Sequence, residues 1–162
     1  MPNGDREPEW QMYNYFTGNE LNRSEESEQI YRKEWKEIMD YLYNYPCIGV
    51  WVPFNERWGQ FKTEDIATWT KKYDPSRLVN PASGGNHFPC GDILDLHHYP
   101  NPSLDFYDAG RATVLGEYGG IGLALNEHLW EPNHNWGYVK FNSPEEVTKQ
   151  YVEYGNDCLL YT

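Results

Sequence analysis

Ile48-Gly49-Val50-Trp51-Val52-Pro53-Phe54-Asn55-Glu56 reads as a buried strand that ends on an Asn-Glu pair. An apolar run bounded by breakers marks such a strand, and Pro46 stands before this one and Gly59 after it. A carboxylate at the mouth of a buried strand has a rigid support and apolar neighbours, the setting of a general acid. The pattern returns downstream. Ala112-Thr113-Val114-Leu115-Gly116-Glu117-Tyr118-Gly119-Gly120 is a second apolar strand closing on a glutamate. Two glutamates, each at a strand end, are the minimum apparatus for retaining glycoside hydrolysis.

Outward from the first strand, helices and strands alternate. Upstream, Ile30, Tyr31, Glu34, Trp35, Ile38, Met39 and Leu42 recur at helical spacing, and Pro46 stops that helix. Residues 1–23 are polar, punctuated by Pro2, Gly4, Pro8 and Gly18, and read as mostly irregular. Downstream, Thr63-Glu64-Asp65 caps a helix with the face Ile66, Trp69, Thr70 and Tyr73, ended by Asp74-Pro75. A strand over 77–80 empties into the turn Ala82-Ser83-Gly84-Gly85, and a third strand over 93–99 alternates apolar and polar residues. A short helical segment is expected over 104–107, a fourth strand over 112–116, and a loop rich in Asn, Gly, His and Trp over 120–142. Ser143-Pro144-Glu145-Glu146 opens a last helix with a capping box and Pro at its first position. This order predicts an α/β fold with parallel strands joined by right-handed crossovers, in a single domain over residues 1–162.

Composition narrows the function. The 162 residues carry 25 acidic against 13 basic side chains, a net charge of −12, which repels the phosphates of a nucleic acid. No apolar run reaches the roughly 18 residues that a membrane span needs. The first thirty residues hold no signal-peptide core, so either the protein is cytoplasmic or this start is not the native one. Cys47, Cys90 and Cys158 lack CxxC spacing, which argues against a zinc site or a disulfide framework. Cys47, next to the first strand, reads as a small apolar core residue. Aromatic residues make up 17% of the chain, with seven Trp and fourteen Tyr. Their faces serve cores and also stack on the C–H surfaces of sugars, so aromatic plus acidic suits a sugar site.

Each candidate has a plainer alternative. Asn55-Glu56 alone also suits a helix N-cap with an acidic first turn; the strand before it and Trp58-Gly59 after it favour a site. Glu117 alone would be a surface carboxylate, but Gly116 and Gly119-Gly120 let the backbone turn sharply and a ligand approach. His97-His98-Tyr99 with Asp92 and Asp95 suggests a metal-dependent hydrolase. Strand alternation, however, puts His97 and Tyr99 on one face and His98 on the other, which favours hydrogen bonding to a hydroxylated ligand or a carboxylate. Trp58, Trp130 and Trp136 are either core residues or sugar platforms.

Together these residues resemble a known family. The segments 51–61, 73–80, 82–85, 91–100 and 115–120, in that order, are similar to the catalytic domain of glycoside hydrolase family 2, and the likeness covers roughly residues 45–140. The resemblance implies a retaining β-glycosidase on a TIM barrel without a cofactor. Glu56 resembles the acid/base at the end of barrel strand four, and Glu117 the nucleophile ending strand seven. Asn55 resembles the residue that binds the sugar 2-hydroxyl, Tyr99 the aromatic that contacts the nucleophile, and His97 or His98 a sugar-binding residue. Trp58 and Trp130 join them as expected carbohydrate contacts.

Two features depart from the family. Many relatives place Gly after the acid/base where this chain has Arg57, and a guanidinium turned toward Glu56 works against a general acid. An eight-stranded barrel also takes about 250 residues, whereas this sequence offers four strands, equivalent to four through seven. The expected fold is therefore a partial (β/α)8 barrel, a fragment whose open edges a second copy or the missing remainder of the barrel would close. On its own, such a fragment is expected to hydrolyse nitrophenyl β-glycosides no faster than background. The alternative is a non-catalytic glycan-binding module or a structural remnant of such a barrel.

Overall fold

The computed structural model describes residues 7–131 and 135–159. In chain order its elements are α1 Glu25–Leu42, β1 Val50–Trp51, α2 Thr63–Tyr73, β2 Leu78–Val79, β3 Ile93–His98, β4 Ala112–Tyr118, β5 Ile121–Leu123, a 3-10 turn at Asn126–His128, β6 Val139–Phe141 and α3 Pro144–Leu159. Strands pair two by two: β1 with β2 and β5 with β6, both parallel, and β3 with β4. This is a mixed α/β chain with short parallel pairs. It divides into two compact units. One is the chain up to Leu96 with Phe106–Val114, the other His97–Asp105 with the chain from Leu115 onward.

In the first unit, α1 starts where Ser24 accepts a hydrogen bond from the Ser27 N–H, with Glu25, Glu26 and Glu28 against the positive end of the helix. The apolar face predicted for α1 splits. Tyr31, Trp35 and Met39, each four residues apart, turn inward, whereas Ile30 and Ile38 are exposed. α1 ends at Leu42, before Pro46 is reached. α2 begins after Lys62, whose φ is +43° and whose side chain makes no cap. Thr63 therefore does not cap the helix. Its N–H and hydroxyl both donate to the Glu20 carboxylate, the N–H at 3.0 Å, so a residue from the segment before α1 serves the helix start. Phe54, Phe61 and Ile66 form the core, with Leu21, Tyr31 and Trp69 packed on it. Tyr31 stacks on Phe54 at 5.5 Å, meets Phe61 edge-on at 5.1 Å and donates to the Pro53 carbonyl.

β1 and β2 are shorter than the sequence suggests, because Pro53 has no N–H to give a ladder. The pairing continues irregularly past them: Asn80 N donates to Trp51 O at 3.0 Å, Ser83 N to Phe54 O at 3.0 Å and Glu56 N to Ser83 O at 2.7 Å. Cys47 is exposed and not a core residue, since it lies in the turn before β1. Residues 7–23 contain no helix yet are tied along their length to the first unit, and Tyr15 pairs with His87 in an isolated parallel bridge. No helix forms at 104–107; Ser103 bonds Asp105, and Phe106 packs edge-on against Tyr15 at 5.1 Å.

In the second unit, β4 runs two residues beyond the expected end, so Glu117 lies inside the strand. The stretch predicted as loop, 120–142, contains β5 and β6. α3 opens as expected: Glu146 N donates to Ser143 Oγ, and the Glu146 carboxylate reaches back to the Asn142 N–H. Its Tyr154 is buried and meets Tyr118 edge-on. Among the described residues, no helix is long and apolar enough to cross a membrane.

One ion pair makes the first unit acid-sensitive. Asp74 is 1% exposed. Burial alone would raise its pKa, but bonds from Ser76, Trp51 and Arg77 outweigh burial and hold it at about 2, below the 3.8 of a free aspartate. A depressed carboxylate pKa stabilises the fold above the unfolded value, and that contribution is lost as pH falls from 3.8 toward 2. Urea melts at pH 6 and pH 2.5 should differ by on the order of 2 kcal/mol from this group. Asp74→Asn should remove that part of the difference while lowering stability at pH 6.

Candidate functional site

The candidate acid/base stands on a tight turn in the first unit. Trp58 N donates to Asn55 O at 3.0 Å, and the two residues between, Glu56 and Arg57, have φ of +47° and +66°. Two successive positive φ values have the hand of a type I′ turn, which favours Asn and Gly. Side chains with a Cβ are strained there, by about 1–3 kcal/mol each. Arg57 lies in the left-handed region, where glycine would sit without strain. Its guanidinium donates to the Pro8 carbonyl at 2.5 Å and lies over the Trp58 ring at 5.6 Å. Asn55 also bridges Ser83 in parallel fashion, so the turn is tied to the end of the β2 segment. Asn55 is exposed, Glu56 half-buried, and Trp58 60% exposed.

Beneath the turn lies a polar cluster. Asn80 Nδ2 and Ser83 Oγ both donate to Asp95 Oδ2 at 2.8 Å, and Gly84 N donates to Asp95 O at 2.9 Å. Asp92 accepts from Val79 N at 2.8 Å and pairs with Lys71 at 3.2 Å. The two aspartates of the metal reading are thus engaged in holding β2 and its following turn.

The candidate nucleophile stands in the second unit. Glu117 Oε2 accepts the Tyr99 hydroxyl proton and lies 3.4 Å from Nδ1 of His97, whose side chain is fully buried. His97 and Tyr99 meet edge-on at 6.4 Å, on one side of the strand as alternation predicts. His98 turns to other partners, Asn101 O at 2.5 Å and Asp105 Oδ2 at 3.3 Å. The two histidines therefore do not aim at one point. Among the described residues of this unit, His97 Nδ1 and Glu117 Oε2 lie close enough to share a cation.

An aromatic ring that the sequence reading missed, Tyr138, backs Tyr99. Tyr138 stacks on it at 4.4 Å with an interplanar angle of 27°, and Trp136 meets Tyr138 edge-on at 5.1 Å. Gly120, at φ +68°, makes room: a Cβ there would lie 2.3 Å from the Tyr138 ring. The space expected to admit a ligand at Gly120 is filled by that ring. The signal for Tyr138 was the Trp-Gly-Tyr spacing before β6, which alternation would have put on one face. Trp130 is fully exposed.

No protein-family model matches the chain, and no curated protein matches it.

The strained turn yields a stability test. Arg57→Ala and Arg57→Gly lose the same contacts to Pro8 and Trp58, but only alanine keeps a Cβ in the left-handed region. Thermal or urea melts should find the glycine variant more stable than the alanine variant by about 1 kcal/mol. Equal stabilities would show that the turn relaxes at no cost.

Proposed function

We propose that the chain carries the catalytic glutamates of a retaining β-glycosidase of the glycoside hydrolase family 2 kind. Its framework is a partial (β/α)8 barrel in which β1 to β4 stand for barrel strands four to seven. The observation that carries this reading is the setting of Glu117, a strand-mounted carboxylate with one oxygen fixed by Tyr99 beside the buried His97. Hydrolases of this class need a nucleophile whose attacking lone pair is aimed before substrate arrives.

The chemistry has two displacements. Glu117 Oε1 attacks the anomeric carbon while Oε2 stays on Tyr99, and Glu56 gives its proton to the departing glycosidic oxygen. The product is a glycosyl ester on Glu117. Glu56, now a carboxylate, takes a proton from water, whose oxygen displaces Glu117 and releases the sugar with net retention. Asn55 receives the sugar 2-hydroxyl, His97 and His98 serve as polar contacts, and Trp58 and Trp130 offer aromatic faces.

A second reading keeps the sugar and drops the reaction. It is favoured by the 47% exposure of the Glu117 side chain, since a wet carboxylate is a weaker nucleophile than a desolvated one. In that case the chain is a glycan-binding module.

Mechanism-based labelling separates the two. Incubation with 2,4-dinitrophenyl 2-deoxy-2-fluoro-β-glycosides of galactose, glucose and mannose should leave one covalent sugar on the peptide bearing Glu117, read by mass spectrometry. Glu117→Gln should abolish it. Glu56→Gln should still be labelled, because dinitrophenolate leaves without a proton. Labelling takes one event per chain, so it reads the glutamates even where steady turnover stays at background, and in any active form azide should speed turnover of this variant on the non-fluorinated substrates. A label on another residue would overturn the assignment; sugar binding without any label would favour the binding module.

A further inference from the structure

The segment before α1 is fastened to the two turns that hold the candidate acid/base. Both Glu7 carboxylate oxygens accept from Gly59 N at 3.2 Å, and Pro8 O accepts from Arg57 at 2.5 Å. Gln11 N donates to Asn86 Oδ1 at 2.8 Å, Asn86 N returns a bond to Gln11 O at 2.9 Å, and Phe16 N donates to His87 O at 2.8 Å. All of these partners lie in residues 57–59 and 86–87, which flank Glu56 and Ser83.

Trp10 sits at the centre of this strap. Its indole N–H donates to Gly84 O at 3.0 Å. The pyrrole edge rests on Gly85 so closely that a Cβ there would lie 1.9 Å from the ring nitrogen. Even so, 39% of the residue is open to solvent. Glu56 N is bonded to the preceding carbonyl, that of Ser83. The indole and the candidate acid/base are therefore hung on consecutive carbonyls of one turn, a single peptide unit apart.

We propose that Trp10 is a carbohydrate-binding platform for the sugar ring on the leaving-group side of Glu56. The inference rests on the reading of Glu56 as acid/base, because that residue defines where the leaving sugar lies. A pyranose offers an apolar face of C–H bonds. A pinned indole matches it with two advantages. Its only polar atom is already bonded, so stacking leaves no donor unpaired. The ring is also already immobilised, so little side-chain freedom is lost on binding. A monosaccharide filling only the cleaved-sugar position would not reach this ring, whereas a β-linked disaccharide would.

The test uses the full chain with lactose, cellobiose and β-1,4-mannobiose, against the methyl β-glycosides of galactose, glucose and mannose. Affinity is read by calorimetry, and the Trp10 indole N–H is followed by 15N NMR. In the wild type, the best-bound disaccharide should shift that N–H resonance and its methyl monosaccharide should not. Trp10→Ala should weaken the disaccharide about tenfold and leave the monosaccharide unchanged. Trp10→Phe, which keeps an apolar ring and guards against a fold lost in the alanine variant, should show a smaller loss of the same kind. Unchanged disaccharide affinity in both variants, an equal loss for disaccharide and monosaccharide, or an unmoved N–H resonance in a binding wild type would each overturn the assignment of Trp10. If Glu117 is still labelled by the fluoro-sugars, the glycosidase reading survives that failure. A wild type that binds none of the disaccharides and takes no label would overturn both.

Discussion

The first unit depends on one buried ion pair. Arg77 sends Nη1 to Asp74 at 2.6 Å, Nε to the Ile48 carbonyl at 2.9 Å, and Nη2 to the carbonyls of Tyr43 and Tyr45 at 2.6 and 3.3 Å. Its Cζ lies 5.3 Å from the ring centroids of both Tyr43 and Trp51. Asp74 in turn accepts from Trp51 Nε1 at 2.9 Å and from the N–H and hydroxyl of Ser76. The turn after α1, the approach to β1 and the end of α2 thus converge on one guanidinium. A two-residue ladder such as β1–β2 is too short to fix a register alone. The clasp fixes it, and a lysine would not, since no ammonium presents five donors in one plane. Neither charge is tolerable without the other, because a buried ion left unpaired costs about 3–5 kcal/mol.

Consequences run along β1 to its far end. Once Trp51 is set, the chain reaches Pro53 and Phe54 in the core, and the next residues must turn back sharply. They do so through Glu56 and Arg57 in a conformation that neither favours. Strain of this kind persists only where surrounding bonds over-determine it. Here the Ser83 carbonyl grips Glu56 N, the Asn55 carbonyl grips Trp58 N, and Pro8 and Glu7 fix Arg57 and Gly59. The strap is therefore part of the turn's support, not an appendage to it.

The helices were legible because their signals are local. Ser143 caps where a hydroxyl followed by acids says it should, and the helical spacing of Tyr31, Trp35 and Met39 needs no tertiary information. The cap expected at Thr63 failed because Glu20, distant in sequence, serves that helix start. Strand lengths were not legible, since ladder extent depends on partners far away in sequence. Val50–Trp51 is apolar enough for a longer strand, but Pro53 withdraws it from the ladder. The strap was invisible for a related reason: its bonds are backbone and side-chain contacts to residues 57–59 and 84–87, and its sequence has no period. Its clue was aromatic density, Trp10-Gln11-Met12-Tyr13-Asn14-Tyr15-Phe16, too rich for a solvated tail. At the site, the resemblance pointed to a contact between Tyr99 and Glu117, and those side chains do bond. For Tyr138 the Trp-Gly-Tyr spacing gave at most a shared face with Trp136; its partner Tyr99 could not be read, because the contact lies across a turn at Gly120, whose φ is +68°.

Under the double-displacement reading, the protein holds its two glutamates in contrasting ways, and the chemistry gives a reason. A nucleophile must present the same lone pair to the anomeric carbon on every turnover. Glu117 meets that need on a regular strand, with one oxygen fixed by Tyr99 and Tyr99 itself backed by the Tyr138 ring. An acid/base must first face the leaving oxygen and then a water in its place, exchanging a proton each time. A short turn of left-handed residues fixes the backbone of Glu56 while leaving its side chain half-exposed, where it can regain a proton from solvent. Rigid support for the attacking group and local strain under the proton carrier would then be two answers to two different steps, each written in a different kind of backbone.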